Sequence, residues 1–319
     1  MNMKNNILVI KHGAFGDIIL AGAAMKAIRS YHKNDYIICL TTIKFEKLLK
    51  SSPWFDMVVV DSKPKLYNVK DWRVLKSFFN KFQYKNIYDL QTSYRSNLYF
   101  YLFFIYKKTH WSGIAIGSKY RQLNKDRKLL HTLNRQKDQL EFAGINYDHL
   151  PDWKWLAKNY ENRSLLPREK FVIIVAGAAK HRINKKWPIK NFSKLIECLS
   201  KIGIQSILLG GKEEFNNFNN IIKSLENSIK IIPANYAGKT SFKDIVFLSS
   251  YAKCAIGNDT GPMHLISSCG LNTIALFGSG SNPDLCAPIG KNVTIIKKDE
   301  ISDISVDIVF NKIKNVVIH

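Results

Sequence analysis

The chain lacks paired cysteines. Five are scattered through 319 residues, at positions 39, 198, 254, 269 and 286, with no Cys-x-x-Cys and no paired spacing. That pattern excludes a cysteine zinc site and a disulfide framework, and it predicts reduced thiols that mostly act as small buried hydrophobes. Long apolar runs are also lacking. The longest, Asn97 to Tyr106 (NLYFYLFFIY), is half of what a membrane span needs. It predicts a buried helix or strand, with a shallow membrane-touching element as the alternative. The opening MNMKNNILVIKHGAFGD is too short in apolar residues for a signal peptide and has no cleavage-type end, so no leader is expected. Acidic residues are scarce: 25 Asp+Glu stand against 48 Lys+Arg, a net charge of +23. Such a field favours anionic partners, whether nucleic acid, acidic lipid, a phosphorylated glycan or a nucleotide. Lysine and asparagine are abundant everywhere, as in AT-rich genomes, so composition alone explains part of the excess. The cations are spread out, which argues against a disordered basic tail. There is no low-complexity segment and no short-period repeat.

What is present is an α/β alternation. Residues 256–270, IGNDTGPMHLISSCG, read as a strand (Lys253 to Ile256), a glycine-bounded turn (Gly257 to Gly261) and a helix beginning at Pro262. Proline suits a first helical turn because its missing N–H has no partner there anyway. The turn aims backbone N–H groups and the positive helix end at one point, a seat for phosphate. Asp259, Thr260 and His264 crowd the same place. The device recurs near the start, where Ile7 to Ile10 leads through Lys11-His12-Gly13-Ala14-Phe15-Gly16-Asp17 into a helix from Ile18 to Tyr31. It recurs again at Phe171 to Val175 with Gly177. The copies that begin at Ile7 and Phe171 lie about 160 residues apart, a domain-sized spacing.

Further strands are expected at 36–40, 57–60, 86–90, 205–209, 229–232, 253–256, 273–277 and 293–296. Helices are expected at 72–82, 191–202, 213–226, 241–250 and 262–269, with Ile301 to Val317 closing the chain. Residues 119–141 show helical spacing at Leu129, Leu130, Leu133 and Leu140. At 46% hydrophobic the chain can fill two cores. Pro151 to Pro167 is the linker candidate, giving domains 1–160 and 161–319. Alternating βα units imply a parallel sheet in each half, with ligands at the carboxyl ends of the strands, in a crevice between domains.

These residues resemble a known family. An apolar strand, a basic residue and Gly-Asp stand as Ile10-Lys11…Gly16-Asp17. A glycine loop followed by Lys-x-Trp-Pro, or a close variant, stands as Gly177…Lys185-Lys186-Trp187-Pro188. Then come Gly210-Gly211-Lys212-Glu213-Glu214, Ala237-Gly238-Lys239-Thr240-Ser241, Asn258-Asp259-Thr260-Gly261-Pro262-Met263-His264 and Ala275-Leu276-Phe277-Gly278. Together, and in this order, they resemble glycosyltransferase family 9, the lipopolysaccharide heptosyltransferases. The resemblance implies a GT-B fold: two Rossmann-like parallel-sheet domains facing across a cleft, acceptor-binding first and nucleotide-sugar-binding second. Three departures bear on donor and acceptor identity. The loop Ala178 to Lys185 is longer and more basic than is usual. Ser279-Gly280-Ser281-Asn282 replaces a frequent Pro-Thr. Gly13 stands where relatives often carry a small hydroxyl residue.

The resemblance implies an inverting, metal-independent transferase that takes a sugar from a nucleotide sugar, ADP-heptose by family default, to a lipopolysaccharide-core or related anionic, lipid-linked glycan. No other cofactor and no nucleic acid are expected. The chain has no Asp-x-Asp pair of the sort metal-dependent sugar transferases use. It would be cytoplasmic, peripheral on the acidic inner face of the inner membrane. Asp17 is the implied general base, with His12 its rival. Lys186 would neutralise the leaving diphosphate. Gly177, Glu214, Thr240, Asp259, Thr260, Gly261 and His264 would hold the donor, and Gly16, Arg95 and Arg121, with His131, would meet the acceptor.

Each has a plainer explanation. Asp17 caps a helix, Lys186 is one exposed lysine of many, and Glu214 or Glu213 is an acid in a first helical turn. Asp259 forms a turn, Ser241 with Asp244 is a cap pattern, and His264 is a core histidine. The arginines are solvated. A dinucleotide dehydrogenase fits poorly, because Gly13-Ala14-Phe15-Gly16 is not Gly-x-Gly-x-x-Gly and the second strand ends without an acid. A basic nucleic-acid-binding protein without enzymatic activity, or a GT-B-fold sugar epimerase, are the alternatives. The former lacks any recognised binding module.

Overall fold

The computed structural model describes residues 5–105, 107–177, 183–225 and 227–318. The chain forms two compact units, Met1–His149 and Leu150–His319. The first holds strands β1 (Asn6–Ile10), β2 (Tyr36–Thr41), β3 (Met57–Val60), β4 (Tyr84–Asp89), β5 (His110–Gly113) and β6 (Tyr120–Arg121). Its helices are α1 (Phe15–Leu20), α2 (Gly22–Tyr31), α3 (Ile43–Lys50), α4 (Val69–Asn80), α5 (Tyr94–Tyr99) and α6 (Thr132–Phe142). The second holds β7 (Phe171–Val175), β8 (Gln205–Leu208), β9 (Ala234–Asn235), β10 (Ala255–Asn258), β11 (Thr273–Phe277) and β12 (Val293–Lys297). Its helices are α7 (Ile189–Lys201), α8 (Phe215–Leu225), α9 (Phe242–Tyr251), α10 (Gly261–Ser268), α11 (Pro283–Cys286) and α12 (Val306–Ile318).

Every strand pair is parallel, and the sheets run β3-β2-β1-β4-β5-β6 and β12-β11-β10-β7-β8-β9. Both are the doubly wound order, read from opposite edges. Each unit's first strand lies beside its fourth: β1 beside β4, and β7 beside β10. There the winding reverses, the loops at the strand ends diverge, and a crevice opens for a ligand. The order follows from the sequence. Ile7 to Ile10 and Val172 to Ile174 are wholly buried, as a central parallel strand covered on both faces must be. Each such aliphatic side chain contributes about 1.5–3 kcal/mol by leaving water. Cys39, Cys254 and Cys269 are buried among them, and burial pushes the Cys254 and Cys269 thiols up to about 12.

Several expected boundaries move. The helix expected from Ile18 starts at Phe15 and divides at Ala21, whose N–H is shared between the Asp17 and Ile19 carbonyls. The strand expected at 229–232 is absent. Ser200 Oγ accepts from Ile231 N–H at 3.0 Å, Gln205 Nε2 donates to the Ile232 carbonyl at 2.8 Å, and pairing resumes only after Pro233. Proline cannot donate to a ladder. The run at 97–106 begins as α5 and continues through a π-helical turn, Phe100–Phe104. The 150–167 segment belongs with the second unit. Trp153 is buried there, Tyr160 OH and Asn162 Nδ2 both donate to Asp244, and Tyr236 OH donates to the Leu165 carbonyl at 2.7 Å.

Candidate functional site

In the first unit the crevice lies where β1 and β4 end. β1 delivers Lys11, 4% exposed, with Nζ donating to the Leu90 carbonyl at 3.1 Å. Burial drives this ammonium below the usual lysine range, against the pull of Asp17 and Asp89. Asp89 closes β4, and its Oδ1 accepts from the Gln91 and Thr92 N–H groups at 3.1 and 2.9 Å. Burial nevertheless pushes its pKa up to about 6. Asp17 is the third residue of α1, where its Oδ2 accepts from the Ala14 N–H at 3.0 Å. That is the capping contact. The carboxyl is also half-exposed, and it lines a recess of about 200 Å³ with Lys11, Thr92, Arg127, Arg135, Gln136 and Gln139.

Cations outnumber carboxylates in the lining of the recess: Lys11, Arg127 and Arg135 stand against Asp17. Arg127 donates to Gln122 Oε1 at 2.5 Å and Thr92 Oγ1 at 2.6 Å, and Arg135 Nε donates to the Leu130 carbonyl at 2.7 Å. Burial, then the neighbouring Arg135 charge, lowers the Arg127 pKa. Two guanidinium groups held together in this way favour an anion between them.

Of the residues expected at the acceptor, Asp17 lines this recess, while Gly16, Arg95 and Arg121 do not. Gly16 lies in α1, Arg95 donates to the Pro64 carbonyl at 3.0 Å, and Arg121 ends β6. His131 Nδ1 accepts from Leu133 N–H at the start of α6. Lys11 stands in the first motif as its basic residue, but Arg127 and Arg135 are not singled out by sequence for this place. Nothing in a chain this rich in cations distinguishes two arginines near α6. His12 faces elsewhere. It is buried, with Nε2 2.9 Å from Asp61 Oδ2, an oxygen that also accepts from Tyr99 OH. Burial raises the Asp61 pKa, but the bonds from His12 and Tyr99 outweigh it and hold the carboxyl below its usual range. Gly13 has φ +128°, and a Cβ there would lie 2.7 Å from Phe45. Glycine at this position is therefore required by the loop of this chain.

In the second unit β7 and β10 end side by side, and Asn258, fully buried, ties their loops together. Its Nδ2 donates to the carbonyls of Ala176 (2.8 Å) and Gly177 (3.3 Å), and its Oδ1 accepts from Trp187 N–H at 2.9 Å. Trp187 is buried and donates from Nε1 to the Ile304 carbonyl at 2.9 Å. One amide thus fixes the glycine loop and the Lys-Lys-Trp segment against the turn before α10. The strand runs on through Gly257 and Asn258, two residues past the expected end. Gly257 has no room for a side chain, since a Cβ there would collide with the Val175 carbonyl.

Two clusters flank that amide. In one, Lys185 and His264 converge on Asp259. Lys185 Nζ donates to Oδ2, and His264 Nε2 lies 3.5 Å from Oδ1. Burial raises the Asp259 pKa, but bonds from His264 and Lys185 and the lysine charge prevail and hold it at about 2. His264 Nδ1 is buried without a protein partner. Thr260 is the N-cap of α10 and Gly261 its first residue, with Pro262 second. Gly280 lets this lysine in, since a Cβ there would meet the Lys185 stem at 2.9 Å.

In the other cluster Glu214 sits among glycines. A Cβ on Gly177 would collide with its Oε1, and one on Gly210 would lie 2.9 Å from its Oε2. Oε2 accepts from Gly211 N–H at 2.6 Å. Burial raises the Glu214 pKa, while Gly211 and the charge of Lys186 oppose it. Thr240 follows the Gly238 turn, whose N–H bonds the Gly210 carbonyl at 2.9 Å. Ser241 and Asp244 form a reciprocal cap on α9. Gly177 and Glu214 are thus brought together, with the Lys186 charge acting on Glu214, as are Asp259, Thr260, Gly261 and His264. The loop noted as longer and more basic falls mainly on residues 178–182, outside the described ones. Among the described residues no group of three or more His, Cys, Asp or Glu could hold a metal ion. A groove of about 690 Å³ between α7 and the start of α12 carries none of the expected site residues.

This geometry can be set beside known proteins. The chain is 23% identical to lipopolysaccharide heptosyltransferase 2 of Salmonella typhimurium over 314 residues, 91% of this chain and 87% of that one. It is 29% identical to lipooligosaccharide heptosyltransferase 2 of Haemophilus influenzae over 140 residues, where the match spans 44% of this chain and 40% of the relative. Its fold matches the structure of ADP-heptose LPS heptosyltransferase II from Escherichia coli with a TM-score of 0.78, covering 99% of both chains at 19% identity. That likeness bears out the GT-B class expected from the sequence. The family model for glycosyltransferase family 9 (heptosyltransferase) matches residues 72–309. With both sheets in the family's fold and the matched residues spanning most of its length, the chain belongs to glycosyltransferase family 9, the heptosyltransferases.

Proposed function

We propose that the protein is an inverting, metal-independent glycosyltransferase. It moves a heptose from ADP-heptose to a lipopolysaccharide-core or related anionic, lipid-linked glycan, at the acidic inner face of the inner membrane. The observation that carries this reading is Asp17 in a recess walled by Lys11, Arg127 and Arg135. A carboxylate beside three cations is a proton acceptor next to a seat for an anionic acceptor. Asp17 takes the proton of the acceptor hydroxyl as that oxygen bonds the anomeric carbon. The bond from that carbon to the diphosphate breaks, and the diphosphate leaves with the electron pair. His12 is less suited to the task, being already engaged with Asp61.

The donor's diphosphate suits the start of α10, where the helix end and the Lys185 ammonium supply positive charge. Asp259, already paired with Lys185 and His264, positions that ammonium and is free to accept from sugar hydroxyls. The sequence favoured Lys186 for the leaving group; the pairing with Asp259 favours Lys185, with Lys186 beside Glu214. Glu214 suits the ribose, whose adjacent hydroxyls can both donate to one carboxylate.

The test is a thermal-shift panel of ADP-, UDP- and GDP-sugars, followed by nucleotide release with and without acceptor. A donor at 100 times its Kd stabilises by about 2.7 kcal/mol. Stabilisation by ADP-heptose and acceptor-dependent ADP release are expected. Turnover of donor without acceptor would indicate an epimerase. Tight, salt-sensitive nucleic-acid binding with no donor turnover would indicate the other alternative.

A further inference from the structure

The π-helical turn that follows α5 carries apolar side chains on its outer side as well as in the core. Tyr99, Phe100 and Phe104 are buried in the first core. On the outer side Tyr94 is 82% exposed, Leu102 53%, Ile105 42% and Tyr101 40%. A helix at a protein surface ordinarily carries a single apolar stripe. Next to it lie two more exposed apolar side chains, Leu66 at 71% and Tyr67 at 77%. The elements form one block. The Trp72 ring of α4 packs on Tyr99 and Phe103 at 6.0 and 6.2 Å, and its Nε1 donates to the Lys65 carbonyl at 3.1 Å. Arg95 holds the Pro64 carbonyl from α5.

The block is also basic. Residues 63–81 contain six Lys and Arg and one carboxylate, Asp71, which is bonded by Asn68. Lys65, Lys70, Arg73, Lys76, Lys107 and Lys108 are all exposed.

We propose that this face seats the protein on an acidic lipid bilayer. Tyr101, Leu102, Ile105, Leu66 and Tyr67 enter the boundary between headgroups and acyl chains, and the surrounding lysines meet the anionic headgroups. The proposal rests on the reading of a lipid-linked acceptor and names the surface through which the protein reaches it. Two arguments select lipid. Protein interfaces are depleted of lysine relative to the rest of the surface, whereas lysine rings this patch, and projecting Leu and Ile do nothing for a phosphate backbone, which is read by charge. Tyrosine and aliphatic side chains ringed by lysine are what a membrane interface takes.

The experiment is co-sedimentation of the full chain with vesicles of phosphatidylglycerol and phosphatidylethanolamine in equal parts, against phosphatidylcholine alone. Wild type is expected to bind the acidic vesicles, more weakly as salt rises. The pair Leu102→Gln and Ile105→Gln should lower the partition constant more than ~10-fold. The pair Ile295→Gln and Ile308→Gln, exposed apolar positions in the second unit, should leave it unchanged. As a second readout, the tryptophan placed by Leu102→Trp should shift its emission to the blue on acidic vesicles. The proposal is overturned if wild type ignores acidic vesicles, or if the Leu102 and Ile105 pair binds as wild type does. It is also overturned if the second-unit pair loses as much, or if acidic vesicles leave the emission of the Leu102→Trp variant unmoved. A dimer that depends on Leu102 and Ile105, without vesicle binding, would assign the face to self-association instead. Donor-induced thermal shifts, measured on the same variants, report separately on the transferase reading.

Discussion

Lys185 and Lys186 are adjacent in sequence but differ in their contacts. Lys185 is fixed on Asp259 at the start of α10, while Lys186 acts on Glu214. Lys185→Ala is predicted to lower kcat by roughly 10²–10³, the loss found when one transition-state-stabilising donor is removed. Lys186→Ala should mainly raise the donor KM. Steady-state kinetics on both variants decide this, and the opposite order would return the leaving-group role to Lys186. The sequence could not separate the two, because a run of lysines does not say which side chain faces the turn. The turn itself was legible, since Asn258 to His264 concentrates an acid, a hydroxyl and an imidazole where a helix begins. A pH prediction follows from Asp89. Its pKa is raised by burial from 3.8 to about 6. Below about pH 4 the folded and unfolded states both carry the proton, and the burial costs nothing. As pH rises through about 6 the fold must hold a buried charge, so stability falls. Asp89→Asn is therefore predicted to gain on wild type by on the order of 2–3 kcal/mol between about pH 4 and pH 8. Urea unfolding at both values checks this, and a gap that narrows with pH would contradict it.

At the scale of elements, the two switch points do the positioning. The loops after β1 and β4 bring Lys11, Asp17 and Thr92 to one recess, and the loops after β7 and β10 are joined by Asn258. Asn258→Ala leaves the Trp187 N–H and the Ala176 carbonyl unpaired in the interior. Each orphaned group costs ~1–3 kcal/mol, so a loss of about 3 kcal/mol is predicted in urea unfolding, together with weaker donor binding. A loss below about 0.5 kcal/mol, the range of an inert surface substitution, would mean that Asn258 is not the tie. The central strands were legible because burial on both faces leaves continuous aliphatic runs, as at Ile7 to Ile10 and Phe171 to Val175. β5 and β6 were not, since His110–Gly113 and Tyr120–Arg121 are short and polar. The false strand at 229–232 has the right composition, but side-chain bonds from Ser200 and Gln205 and the following Pro233 take it out of the ladder.

At the scale of the molecule, two units repeat one winding order, and the repetition was visible as two strand–glycine–helix starts. The unit boundary was less visible. Pro151 to Pro167 has the composition of a linker, but Trp153, Tyr160 and Asn162 bind it to the second unit through contacts that no local pattern records. The acceptor recess was only half legible. Asp17 stood in a motif, whereas Arg127 and Arg135 reach it through a tertiary fold that leaves no spacing in the sequence. A helix-end phosphate seat with a lysine needs no divalent cation, so turnover is predicted to survive EDTA, and loss on chelation with recovery on magnesium would contradict that prediction. The central claim is a sugar transfer in which Asp17 takes the acceptor's proton, and Asp17→Asn tests it most directly. The asparagine Oδ1 can accept the Ala14 N–H as the aspartate Oδ2 does, so the variant should fold and give the wild-type thermal shift with donor. The measurement is acceptor-dependent nucleoside-diphosphate release at saturating donor. The account predicts at least ~100-fold slower release, the usual floor for loss of a general base. Release near the wild-type rate would contradict it.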